Sequence, residues 1–438
     1  MESLATAFFI LILIVFYLGL GVWVFAGLLL VSFSGLVILL DMPIHRIGTI
    51  MAPLIIRSAT SWELSAIPMF VWMGEIMFRT DISNRLFRGL SPLVYYLPGR
   101  LLHTNVLGSA LFAAVSGSSA ATTATVGKIT TTELLKRNYS KSLAFGSLAG
   151  AGSLGLLIPP SIVLIVYGVL AEVSISRLFA AGVYPGILIA SLYSGYIMVR
   201  CLINPSLAPT IEKKPSVKDI VFGLFNLVPI TILIFIVLGS IYSGIATPSE
   251  AAAVGVLATL VLTVLTRQLS FNVFFDSLMG AVRTSCMIAS ILLAAAFLST
   301  SMAFLHVPQE VASGIAKLNL SPYQMIATLA VFYILLGLFL EGISITVMSL
   351  PITLPLVLAA GFDPIWFGIF LVIMVELAQI TPPIGFNLFI IQGLTGTPIM
   401  KVAIASAPFF VLMCCAAALI TLFPQIALWL PDTLFNKQ

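Results

Sequence analysis

Apolar stretches long enough to cross a bilayer, about 20 residues each at 1.5 Å of helical rise per residue, recur almost from one end of the chain to the other. They cover residues 5–40, 178–203, 220–242 and 251–266 among others. The pattern predicts about ten to twelve membrane segments, several of them interrupted. The first run has room for two helices with a tight turn at Gly19 and Gly21, and no Lys or Arg precedes it. A leader peptide would carry a basic region there, so the run reads as mature structure.

Polar positions divide this pattern almost in half. The most polar internal stretch, residues 204–219, holds Pro205, Pro209, Pro215 and the cluster Glu212, Lys213, Lys214, and it reads as a linker between a first repeat, 1–203, and a second, 220–438. In the first half Gly155-Leu-Leu-Ile-Pro-Pro-Ser-Ile interrupts an apolar segment, and in the second Ala378-Gln-Ile-Thr-Pro-Pro-Ile-Gly does the same. Upstream of each Pro pair lies a small, hydroxylated stretch, Ser116 to Gly127 and Glu341 to Ser349. Hairpins are therefore expected near 116–130 and 341–356, and broken helices near 155–161 and 378–385. Matching interrupted segments in two halves point to a transporter built from repeats, with its site where they meet. Small residues also serve close helix packing in lipid, so either stretch alone would say less than the pair.

Composition fixes the solvent. With 60% hydrophobic and 8% charged residues over 438 positions, and a mean hydropathy of +1.16, the chain cannot bury its apolar surface in one aqueous globule. The formal charge of +4 is spread over short loops: Arg79, Arg85 and Arg88; Lys128, Lys136, Arg137 and Lys141; Lys213, Lys214 and Lys218. That distribution is a footprint of topology and not of nucleic-acid binding. Three Lys beside Arg200 make the linker cytoplasmic, while the amino terminus lacks basic residues and the tail has only Lys437. Both termini then face outward, as an odd number of crossings per inverted repeat requires. Cys201, Cys286, Cys414 and Cys415 lack paired spacing and read as inert packing residues. Trp62, Trp366 and Trp429 end apolar segments, where an aromatic belt predicts them.

The breaks suggest their own chemistry. Proline inside a helix removes an amide donor and frees a carbonyl one turn earlier, so Pro159-Pro160 and Pro382-Pro383 leave bare oxygens at membrane depth. Irregular backbone survives there only when protein, water or a ligand surrounds it, and an alkali cation suits carbonyl and hydroxyl oxygens. Sodium fits better than zinc, which wants a Cys/His cluster, or calcium, which wants clustered carboxylates. Ser116, Ser119 and Thr381 are the hydroxyl candidates. Glu341, Glu376 and Glu75 lie in apolar runs, where an ionisable residue is a functional candidate by default. Snorkelling or ion pairing competes with that role for the latter two, and Arg283 is either an interfacial anchor or a charge partner.

Six spaced stretches carry a resemblance over essentially the whole chain. They are Ala66-Ile-Pro-Met-Phe with Gly74-Glu75, Ser116-Gly-Ser-Ser-Ala-Ala, Gly155-Leu-Leu-Ile-Pro-Pro-Ser, Gly244-Ile-Ala-Thr-Pro-Ser-Glu-Ala-Ala-Ala, Leu336-Gly-Leu-Phe-Leu-Glu and Ile380-Thr-Pro-Pro-Ile-Gly-Phe-Asn-Leu-Phe. In these the chain resembles the large membrane subunit of the tripartite ATP-independent periplasmic (TRAP) transporters, the dicarboxylate- and sialate-type permeases of bacteria. The resemblance implies an all-α integral membrane protein of the inner membrane, an inverted-repeat secondary transporter with two re-entrant hairpins and Pro-broken helices that works as an elevator. It implies sodium-coupled symport of a small organic acid, with a small four-helix membrane subunit and a periplasmic substrate-binding protein as partners and no cofactor beyond the coupling ion. One sodium site would draw on Ser116, Ser119, Gly155, Ile158 and Pro160, the last three through backbone oxygens. A second would draw on Gly337, Ala378 and Thr381 with Glu341 close by, where many relatives have Gly for Ala378 and Asp for Glu341.

Two other readings stay in view. A binding-protein-independent sodium:carboxylate carrier of the wider ion-transporter class has similar paired hairpins. An intramembrane enzyme with Ser116 or Ser119 as nucleophile would need a base, and His45, His103 and His306 lie outside any matching motif. A channel would not need two matching breaks, which favour alternating access.

Overall fold

The computed structural model describes residues 2–209, 214–317, 320–338, 340–383 and 385–435. Glu212 and Lys213 of the linker, Lys437 of the tail, Phe339 and Ile384 lie outside the described residues. The described chain is built of helices. The first half contains α1 (Glu2–Gly19), α2 (Val24–Leu40), α3 (Ile44–Ala59), α4 (Ala66–Arg79), α5 (Ile82–Val94), α6 (His103–Ser116), α7 (Ser119–Lys136), α8 (Lys141–Gly152), α9 (Ile162–Leu170) and α10 (Ile175–Ile203). The second contains α11 (Val217–Tyr242), α12 (Pro248–Leu265), α13 (Phe271–Phe304), α14 (Val307–Lys317), α15 (Pro322–Leu336), α16 (Gly342–Ala359), α17 (Pro364–Gln379), α18 (Phe386–Thr395), α19 (Ile399–Leu422) and α20 (Gln425–Phe435).

Six of the described helices, α10, α11, α12, α13, α16 and α19, are long and apolar enough to cross a membrane. Others are shorter because they come in interrupted pairs. The apolar run 5–40 forms two helices turned at Gly21, whose φ of +76° lies where glycine is favoured. The Pro159-Pro160 and Pro382-Pro383 segments separate α8 from α9 and α17 from α18, and both Pro–Pro bonds are cis. Proline inside α10, α11, α16 and α19 does not end those helices, so one proline is not enough to stop a helix here. Lipid cannot satisfy the first amides of a helix, so side chains do. Ser118, Ser161, Glu341 and Asp363 each accept from backbone N–H groups at the start of α7, α9, α16 and α17.

The helices pack in two groups. In one, α4 lies on α12 and α13, α2 on α13 and α5 on α11. In the other, each half inserts into its counterpart: α7 packs on α18 while α16 packs on α9, and α8 packs on α19 while α17 packs on α10. At the centre of this second group α17 is buried from Ile365 to Gln379. A helix apolar all round belongs inside protein or lipid, and here protein surrounds it. Trp366 departs from the aromatic-belt expectation: it is fully buried, stacks on Phe362 and Phe370, and donates from Nε1 to the Ile420 carbonyl at 3.0 Å. By contrast Phe222, Phe225 and Phe235 of α11 point outward, as a lipid-facing helix requires. Of the four cysteines only Cys201 is buried, which corrects the packing role expected for Cys286 and Cys415.

Candidate cation-binding site at the two helix breaks

Each break is met by a junction between two helices of its own half. In the first, α6 ends at Ser116, Gly117 reverses the chain with φ +59°, Ser118 caps the next helix by accepting from the Ala121 amide, and Ser119 opens α7. The tip is driven against the first break by backbone contact. A Cβ on Gly155 would lie 2.5 Å from the Ser119 Cα, and one on Gly117 would lie 2.7 Å from the Pro160 carbonyl oxygen. Gly74 of α4 lets Ser116 approach from the other side. Ser116, Ser119, Gly155 and Pro160 therefore meet in one place. Ile158 lies in the same loop, with its side chain turned to Gly186 of α10.

Ser119 is the hub. Its Oγ lies 3.0 Å from the Gly152 carbonyl, 3.0 Å from Glu376 Oε2 and 2.9 Å from the Asn387 amide nitrogen. The other carboxylate oxygen of Glu376 accepts from the Leu156 backbone N–H at 2.8 Å. Glu376, 1% exposed, thus joins the tip and the break of the first half to α17 of the second. Ser116 Oγ pairs with Thr122 Oγ1 at 2.9 Å. The fully buried Thr123 Oγ1, beside Gly152, has no hydrogen-bond partner among the described residues.

At the second break Gly337 sits directly on Ala378, whose Cβ is 1.9 Å from where a Gly337 Cβ would be. Thr381 Oγ1 donates to the Leu377 carbonyl at 2.6 Å. Glu341 is exposed, and its carboxylate caps α16 by accepting from the Ser344 amide and hydroxyl, both at 2.9 Å, and the Ile343 amide at 3.2 Å. The two tips converge on the end of α17: a Cβ on Gly342 would lie 2.6 Å from Val375 and 3.4 Å from both Gln379 and Leu156.

The remaining acidic candidate resolves to pairing. Glu75 Oε2 lies 3.2 Å from Arg79 Nε, one turn away on α4. Arg283 is exposed on α13 and has no ion-pair partner among the described residues. Neither Ser116 nor Ser119 has a histidine partner, and His103 Nε2 bonds instead to the Pro98 carbonyl. Sequence reasoning missed Thr123 and Asn387 and left Glu376 unranked. Asn387 stands four residues beyond Pro383 inside a quoted motif, which was the available signal.

The donor set is hydroxyls and carbonyls, hard neutral oxygens that fit an alkali cation, and the unpartnered Thr123 hydroxyl adds another oxygen nearby. Among the described residues no three His, Cys, Asp or Glu side chains gather as a transition-metal site would need.

The chain is similar to known transport proteins. The family model of the tripartite ATP-independent periplasmic transporter, DctM component, matches residues 8–426. The C4-dicarboxylate TRAP transporter large permease protein DctM of Pseudomonas aeruginosa is 32% identical over 381 residues, covering 86% of this chain and 88% of that protein. The ectoine/5-hydroxyectoine TRAP transporter large permease protein UehC of Ruegeria pomeroyi is 30% identical over 376 residues, 86% and 87% of the two chains. Among solved structures the YdaH transporter of Alcanivorax borkumensis shares the fold, with a TM-score of 0.60 at 14% identity over 89% of each chain.

Proposed function

This chain belongs to the DctM component family of tripartite ATP-independent periplasmic transporters, and on that footing we propose that it is the transporting large subunit of a sodium-coupled uptake system for a small organic acid. A periplasmic binding protein delivers the acid, and a small four-helix membrane subunit completes the scaffold. The observation that carries this reading is the Ser119 cluster, where the interrupted helices of both halves contribute to one set of buried oxygens. The permeases for C4-dicarboxylate and ectoine support a small organic acid as the substrate, without choosing among dicarboxylate, sialate and similar acids.

In this reading the halves 1–203 and 220–438 are inverted repeats in the bacterial inner membrane, with the linker cytoplasmic beside Arg200, Lys214 and Lys218 and both termini periplasmic. The pairs α6–α7 and α15–α16 are re-entrant hairpins. The group that contains them moves as an elevator against α2, α4, α5 and α11–α13. Bound sodium supplies positive charge at the tips, where a substrate carboxylate is held. Ser116 and Ser119 hydroxyls with the Gly155, Ile158 and Pro160 carbonyls hold the first ion, and Gly337, Ala378 and Thr381 hold the second, with Glu341 at the tip beside it.

Reconstituted with its small subunit and binding protein, the chain is expected to take up a carboxylate only under an inward sodium gradient and only with the binding protein present. Ser119→Ala and Thr381→Ala should each cut the initial rate at least ten-fold. Equal uptake in potassium would sink sodium coupling. Sodium-driven uptake without the binding protein would establish the independent-carrier reading instead.

A further inference from the structure

We infer that Glu376 is the counter-charge and positioning residue of the first cation site, and that it acts through the Ser119 hydroxyl and the Leu156 amide. The inference rests on the reading of that cluster as a sodium site. A serine hydroxyl has one proton and two lone pairs. The amide nitrogen of Asn387, at 2.9 Å, can only donate, so it occupies one lone pair of Ser119 Oγ. Gly152 O and Glu376 Oε2 compete for the proton at the same 3.0 Å, with Asn387 Oδ1 farther off at 3.3 Å. With a cation beside it Glu376 is held ionised, and a carboxylate is then the stronger acceptor because the bond is charge-assisted, so the proton turns to Glu376. The second lone pair is then left free for a cation.

Charge makes the same assignment. The five oxygens of the first site are formally neutral, and a cation buried among neutral oxygens needs an anion close by. Glu376 is a buried carboxylate with no ion-pair partner among the described residues, so each half of the arrangement lacks what the other has. Its two oxygens grip opposite walls, Ser119 on the tip and Leu156 on the loop that carries Gly155, Ile158 and Pro160. Glu341 does not compete for the role, because it is exposed and committed to capping α16. Since α17 is buried from Ile365 to Gln379, protein surrounds Glu376 on all sides.

The test is the melting temperature of the full-length chain in detergent across a sodium series, with choline holding ionic strength constant. A site that binds only the folded state raises stability by mass action, so the midpoint of the rise reads its affinity. The wild type must show a sodium-selective rise; a flat wild-type response refutes the sodium reading itself. Given that rise, Glu376→Gln is expected to move half-saturation at least ten-fold higher, and Glu376→Asp, which keeps the charge, to recover part of the loss. Glu376→Gln combined with Ser119→Ala should be little worse than the weaker single variant, because the two act as one unit. An unchanged half-saturation with equal loss of stability in sodium and choline would make Glu376 merely structural and overturn the proposal. Failure of both the Gln and Asp variants to fold would overturn it in the same way.

Discussion

On the sodium-coupled reading, Gly155→Ala is expected to abolish uptake, lowering the initial rate at least 100-fold while leaving the chain inserted and folded. The added Cβ would meet only backbone: Ser119 Cα at 2.5 Å, Ser119 N at 2.6 Å and the Ser118 carbonyl carbon at 2.7 Å. No rotamer change relieves such a contact, so the tip and the loop must separate by about 1 Å to reach ordinary packing distances. Ser119 Oγ bonds at 3.0 Å to Gly152 and Glu376 would then stretch beyond useful hydrogen-bond range. A displacement of about 1 Å in a preorganised site is enough for a loss of about 100-fold. The cost to stability is smaller, about 1–3 kcal/mol, the usual range for overpacking. Uptake in proteoliposomes checks the first part, and loss of the sodium-dependent rise in melting temperature checks the second. Uptake at half the wild-type rate would show that the loop yields, and the close fit of tip to break would lose its functional meaning.

Gly155 also marks how far the sequence could be read. Proline pairs act on the backbone within a few residues of themselves, and the helices part at Pro159-Pro160 and at Pro382-Pro383. The polar residues His103, Thr104 and Asn105 open α6 and are buried, with Asn105 bonded to the Ser147 hydroxyl at 2.8 Å. What the sequence could not place was any contact between halves. Ser119 meets Glu376 and Asn387 across 257 and 268 positions, and no local pattern encodes that. Trp366 misled for a related reason. An apolar helix surrounded by protein and one surrounded by lipid have the same composition, because both environments select against charge. Glu75 and Glu376 looked alike in sequence, each an acid in an apolar run. One found Arg79 a turn away, and the other found a buried hydroxyl and an amide in the opposite half.

The same cross-half packing that was invisible in sequence makes a second large effect predictable, this time on stability without any effect on the ion. Gly146→Ala is expected to destabilise the chain by about 3 kcal/mol or more, at the upper end of what overpacking costs. A Cβ there would lie 2.1 Å from the Ala405 carbonyl oxygen and 2.8 Å from its carbonyl carbon, both backbone atoms of α19. A Cβ on Gly150, one turn on, would lie 2.6 Å from the Phe409 Cβ. Small residues at i and i+4 let two helices touch backbone to backbone in lipid, where packing substitutes for the hydrophobic drive. Forcing α8 away from α19 unzips one of the reciprocal contacts between halves, so the melting temperature should fall equally in sodium and in choline. Gly146 precedes Gly152 by six residues, about 9 Å along the helix, so the Ser119 contacts can persist and sodium half-saturation should stay within about two-fold of wild type. A marked loss of sodium affinity would mean instead that α8 moves as a rigid rod, carrying the Gly152 carbonyl away from Ser119, and that the crossing with α19 sets the geometry of the ion site.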